Sequence, residues 1–124
     1  MVKVFWYDSY RDKGVDSEDA EEMTLDEACL VWSDQVPGIQ GSFFGLIDET
    51  GQALQFYVAK SLPDHVGDTG HLENLDLDIP CPKLSGSFSA RIKYLDVYPI
   101  INRVYEKGID YRDYDVSFSN WHEA

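Results

Sequence analysis

Apolar and polar positions first alternate at residues 2–7, where Val2, Val4 and Trp6 interleave with Lys3, Phe5 and Tyr7. A period of two is that of a β-strand, so the chain is predicted to open directly into a sheet. The next stretch, "DSYRDKGVDSEDAEE", reads as a polar connection. Thr24 then opens a helix. Thr24 and Glu27 have the spacing of a capping box, in which the hydroxyl takes the amide of the third helical residue and the carboxylate reaches back to the cap amide. Leu25, Ala28, Cys29 and Trp32 share one helical face, and Pro37 with Gly38 ends the element.

"GSFFGLID" at 41–48 and "QALQFYVAK" at 52–60, joined through "ETG", predict an antiparallel hairpin. Leu54, Phe56 and Val58 point to one face while Gln55 and Tyr57 point to the other, which gives a core face and a partly polar one. Beyond a loop at 60–71, the alternation from Asn74 to Pro80 suits a half-buried strand, "PCPKLSGS" a turn region and "FSARIKYL" a further strand. Asp96 is placed to cap a second helix with Val97, Ile100, Ile101, Val104 and Tyr105 at helical spacing, Pro99 in the first turn and Gly108 as the stop. A short last strand is expected around 115–119. The order β-α-β-β-β-β-α predicts an α+β domain, an antiparallel sheet of four to six strands with two helices packed on one face. The other sheet face and the loops are left for function.

The 124 residues make one domain by length, and 44% hydrophobic content with 3 Trp, 8 Tyr and 6 Phe supplies a core without staples. No apolar run approaches the roughly 20 residues that cross a bilayer. The first residues also lack the apolar stretch and cleavage site of a signal peptide, so a cytoplasmic protein is expected. Cys29 and Cys81 form no CxxC pair and are expected to be reduced.

The formal charge of −13, from 23 acidic against 10 basic side chains, repels nucleic-acid phosphates and anionic membranes alike. Nucleic acid and membrane are therefore set aside as partners. A basic protein would be attracted instead, with its association quickened by ~10 to ~1000-fold at low salt. The acids fall in three groups: residues 16–27; Asp64, Asp68, Glu73, Asp76 and Asp78; and "DYRDYD" at 110–115. Asp26 and Glu27 suit the positive end of a helix dipole, but Asp16 to Glu22 precede it. Rings supply rigid contact area and carboxylates bind Arg and Lys, so acid beside aromatic is the composition of a surface for cations. The candidate partner-binding residues are Asp16, Glu18, Asp19, Asp76, Asp78, Tyr111, Asp113, Tyr114 and Asp115.

Candidate chemistry adds little. In "PDHVGDTGH" a metal site would recruit His65, His71 and either Asp64 or Asp68. The histidine spacing keeps the two imidazoles off one helix face, and Gly67 and Gly70 disfavour a helix there. A calcium loop starting at Asp64 would need glycine and glutamate where the chain has Thr69 and Leu75. The stretch is read as a Gly/Pro-punctuated loop, with a small metal-binding or hydrolytic enzyme using His65, Asp68 and His71 as the alternative. Ser42 and Ser87 lack a nucleophile elbow, and no glycine pattern matches a phosphate cradle. No catalytic residue and no cofactor are expected.

The block "GSFFGLIDETGQALQFYVAK", with "LENLDLDIP" and "GSFSARIKYL" behind it, resembles the small acidic immunity proteins of bacterial polymorphic-toxin and contact-dependent inhibition systems, over residues 41–95. The resemblance implies a compact α+β domain that caps a cognate toxin, commonly a nuclease, one to one and without chemistry of its own. It would give the acid and aromatic surface a basic active site to cover. A third class is a homodimer or other homo-oligomeric structural or regulatory protein that buries its aromatic sheet face against itself.

Overall fold

The computed structural model describes residues 2–35, 41–58 and 75–121. Strand β1 (Lys3–Asp8) is followed by β2 (Lys13–Val15), β3 (Glu21–Glu22), helix α1 (Leu25–Gln35) and the hairpin β4 (Phe43–Ile47) and β5 (Ala53–Val58). Then come β6 (Leu75–Cys81), β7 (Gly86–Ile92), helix α2 (Val97–Lys107) and β8 (Ser117–Asn120). All pairings among these strands are antiparallel and run in the order β2-β1-β4-β5-β6-β7-β8, with β3 also on β1.

This is the expected α+β arrangement of an antiparallel sheet with two helices, but the sheet has 8 strands where four to six were expected. The last expected strand is present as β8. The two surplus strands are β2 and β3, of 3 and 2 residues, both within the stretch read as a polar connection. They pair with successive halves of β1, at Trp6–Asp8 and at Lys3–Val4. Such short edge pairings satisfy backbone groups of β1 without burying side chains, so they leave no alternation to read.

The core lies between one sheet face and the helices. Val4, Phe44, Leu46, Leu54, Phe56, Val58, Leu75, Leu77 and Ile79 alternate along their strands onto that face, and Ala28, Trp32, Val97, Ile101 and Val104 meet them from α1 and α2. Trp32 packs its ring edge-on to Phe44 at 5.8 Å and at a tilt to Phe56 at 6.0 Å. The capping box forms as expected: Glu27 N donates to Thr24 Oγ1 at 3.2 Å, and Thr24 N donates to Glu27 Oε1 at 3.0 Å.

Asp96 behaves otherwise. It stands at the head of α2, yet its carboxylate makes no cap bond and accepts the amide of Lys93 at 3.0 Å. A 3-10 turn over Tyr94–Asp96 runs straight into α2, and the helical backbone of Asp96 turns its side chain back toward that turn. Gly108 ends α2 at φ 81°, in the left-handed region that favours glycine. Among the described residues no helix is long and apolar enough to cross a membrane.

Candidate partner-binding surface

Positions of opposite parity to the core point to the helix-free face, and the strand register aligns them in rows. One row runs Tyr7, Phe43, Tyr57, Asp76, Arg91 across β1, β4, β5, β6 and β7. The next runs Phe5, Gly45, Gln55, Asp78, Ser89, Ser117. Within each row, neighbours are cross-strand pairs in direct side-chain contact range. The face therefore grades from aromatic at β1, β4 and β5, through acidic at β6, to serine-rich at β7 and β8.

The aromatic part is packed. Phe43 lies 5.7 Å from Tyr7, 6.2 Å from Phe5 and 5.8 Å from Tyr57, centroid to centroid. Phe5 is buried although no helix covers it, because its ring lies flat over Gly45, where any Cβ would collide with it. The Tyr7 hydroxyl donates to Asp12 Oδ1 at 2.7 Å, and that bond raises the Tyr7 pKa.

The acidic part is held in place. Asp78 accepts Gln55 Nε2 at 3.0 Å on one oxygen and the Ser89 hydroxyl at 3.1 Å on the other. Asp76 accepts Arg91 Nε at 2.8 Å. Burial, and next to it the Asp78 charge, pushes the Tyr57 hydroxyl pKa up. Trp121, just past β8, donates its indole N–H to the Ser87 hydroxyl at 2.8 Å. Tyr57, Asp76, Asp78, Ser89, Arg91 and Trp121 line one shallow groove of about 680 Å³.

The structure does not gather the nine candidate residues into one place. Asp16, Glu18 and Asp19 are exposed at and around a 3-10 turn between β2 and β3, beside β1. Asp76 and Asp78 lie on β6, three strands from β1 in the sheet order and so roughly 14 Å away.

The third group sits on the helix side. Tyr111 stacks on Phe88 with centroids 3.8 Å apart and planes 3° from parallel, and Phe88 packs against the core. Asp113 is paired to Lys107 at 3.5 Å and Arg103 at 3.9 Å. Tyr114 packs against the core, and burial raises its pKa first and foremost. Asp110 is held by Arg112, whose side-chain and backbone N–H bonds pull the carboxyl pKa down to about 2. Asp115 is exposed and shares with Asp113 and Tyr114 a second groove, against α2.

Asp76 and Asp78 thus share the helix-free face with the exposed rings of Tyr57 and Trp121. The "DYRDYD" acids at 110 and 113 are matched by cations of this chain on the helix side, as Asp76 is by Arg91 on the helix-free face. What the sequence left unread is the aromatic row: Tyr7, Phe43 and Tyr57 sit on three different strands, and only the register brings them beside Asp76. His65, Asp68 and His71 lie outside the described residues, as do Asp64 and Glu73. Cys29 and Cys81 are unpaired and half-buried, and burial raises both thiol pKa values.

Comparison of the chain with models of protein families, with curated proteins and with solved structures gave no match.

Proposed function

We propose that this chain is a binding protein of the immunity type, which neutralises a basic protein partner by covering it with the helix-free sheet face. The observation that supports this reading is the acid-to-aromatic row on that face, Tyr7–Phe43–Tyr57–Asp76, in a chain of charge −13. Rigid rings exclude water around a contact, and carboxylates inside such a rim bind Arg and Lys more strongly than they do in open solvent. The sheet holds both in fixed register, so little side-chain freedom is lost on binding. The resemblance to immunity proteins supplies the class of partner, a toxin domain with a basic active site.

A growth-rescue experiment tests this. Each reading frame flanking this one in its genome is expressed alone and together with the chain. One flanking frame is expected to arrest growth, co-expression to restore it, and Asp76→Lys with Asp78→Lys to abolish the rescue. If no toxic neighbour is rescued, or if the double reversal rescues as well as the parent, the reading fails.

A further inference from the structure

The groove on the helix-free face has a chemistry more specific than negative charge. Asp76 and Asp78 stand at alternate positions of β6, so their carboxylates project from the same face about 7 Å apart. Tyr57, 37% exposed, lies directly across from Asp76 on β5. Trp121, 52% exposed, lines the same groove and is fixed by its bond to Ser87. A floor of two carboxylates, one of them paired to Arg91, is thus flanked by two exposed ring systems.

Both carboxylates are oriented before any partner arrives. Among the described residues each oxygen of Asp78 accepts one bond, and a carboxylate oxygen has two lone pairs. Asp76 carries the Arg91 Nε on Oδ1. Arg91 is itself a guanidinium lying at this floor, and it shows which group the geometry suits.

We infer that the groove between Tyr57 and Trp121 takes an arginine side chain of a basic protein partner, its guanidinium bonded to Asp76 and Asp78 and its flat face against a ring. This inference rests on the reading of the chain as a binder of basic proteins and names what that face selects. Arginine fits and lysine does not, for two reasons. A guanidinium presents N–H donors along several edges of one plane, which suits two carboxylates set side by side. Its faces remain free to stack on Tyr or Trp, whereas an ammonium is a hydrated point charge. A second copy of this chain is disfavoured as occupant by the charge of −13 that each copy would bring.

The test uses the full chain and two labelled peptides, hexa-arginine and hexa-lysine, titrated by fluorescence anisotropy at one fixed ionic strength. Hexa-arginine is expected to bind about fivefold or more tightly than hexa-lysine, the excess coming from stacking. Asp76→Asn with Asp78→Asn is expected to abolish that preference. Asp16→Asn with Asp19→Asn removes the same charge beside β1 and is expected to keep it. Tyr57→Leu and Trp121→Leu, which leave both carboxylates in place, are each expected to shrink it, and they decide the matter if the double Asn variant does not fold. Equal affinity for the two peptides, or equal effects of the two Asn pairs, overturns the inference and leaves a diffuse anionic field. Arginine preference without growth rescue by the chain would sink the inhibitor reading alone; rescue without arginine preference would sink the groove assignment alone.

Discussion

Asp48 Oδ2 accepts the backbone amide of Ile109 at 2.8 Å, which ties the β4–β5 turn to the chain leaving α2. The other oxygen takes Thr50 N at 2.9 Å, the Thr50 hydroxyl at 2.6 Å and Gln52 N at 3.0 Å. Asp48 is 8% exposed, and of its four donors the two from Thr50 sit on an exposed residue while the Gln52 and Ile109 amides are half-buried. Asp48→Ala is expected to cost about 1–3 kcal/mol, chiefly because the half-buried Gln52 and Ile109 amides lose their acceptor. Asp48→Asn keeps the shape but turns an N–H toward an N–H and is expected to cost roughly 1–3 kcal/mol. Urea unfolding measures both, and an unmoved midpoint in the Ala variant would show that the bonds contribute nothing net.

The Tyr105 hydroxyl joins α2 to the segment before α1, donating to Met23 O at 2.9 Å. Burial, with Cys29 and Glu27 nearby, pushes its pKa up to about 12 from 10.0. A folded-state value above the unfolded one means that the contribution is complete below pH 10 and fades as pH rises through about 12. Tyr105→Phe is expected to lower stability at neutral pH by about 1 kcal/mol, the net value of one hydrogen bond. It should also lose less stability than the parent between pH 10 and pH 12. Denaturant titrations at the two ends of that window decide it; curves that fall in parallel would contradict the assignment.

Much of the fold is legible in the chain because its apolar periodicities are local. Trp32, Leu54, Phe56, Val58, Ile100 and Val104, which the apolar pattern places on inward faces, are all buried. The capping box and the hairpin are likewise set by neighbours a few residues apart. Pairing partners are a different matter. Lys13–Val15 and Glu21–Glu22 carry no alternation, and only their fit to β1 makes them strands. The same limit governs the surface. Composition singles out Asp76 and Asp113 alike and marks the cation of neither: Arg91 reaches Asp76 from β7, and Arg103 and Lys107 reach Asp113 from α2, pairings that only the fold brings together. Phe5 reads as a strand residue of either face until Gly45 is known to lie opposite it.

That Phe5–Gly45 pair makes a prediction of its own. A glycine in mid-strand weakens β4 by conformational entropy, and here its lack of a side chain lets the Phe5 ring lie down on the backbone. Gly45→Ala would force that ring up and away from Phe43. A loss of about 1–3 kcal/mol is expected, as for overpacking of a filled site. If Gly45→Ala is instead stabilising by removing chain entropy from the unfolded state, Phe5 is free to move and the aromatic row is less rigid than the register implies.

Arg91 competes, on the inference above, for the carboxylate that an incoming arginine would use. Its pair with Asp76 is 58% exposed on the arginine side and 44% on the aspartate side, so it contributes at most about 1 kcal/mol to folding. Arg91→Gln should accordingly leave the unfolding midpoint nearly unmoved. It frees Asp76 Oδ1 and adds one net negative charge at the groove, and hexa-arginine is expected to bind about two- to fivefold more tightly. Lys3→Gln adds the same charge on β1, three strands away in the sheet order. Its effect is expected to be smaller and to vanish near 0.15 M salt, where the screening length is about 8 Å. If Arg91→Gln strengthens binding no more than Lys3→Gln does at that ionic strength, Asp76 is not where the guanidinium lands.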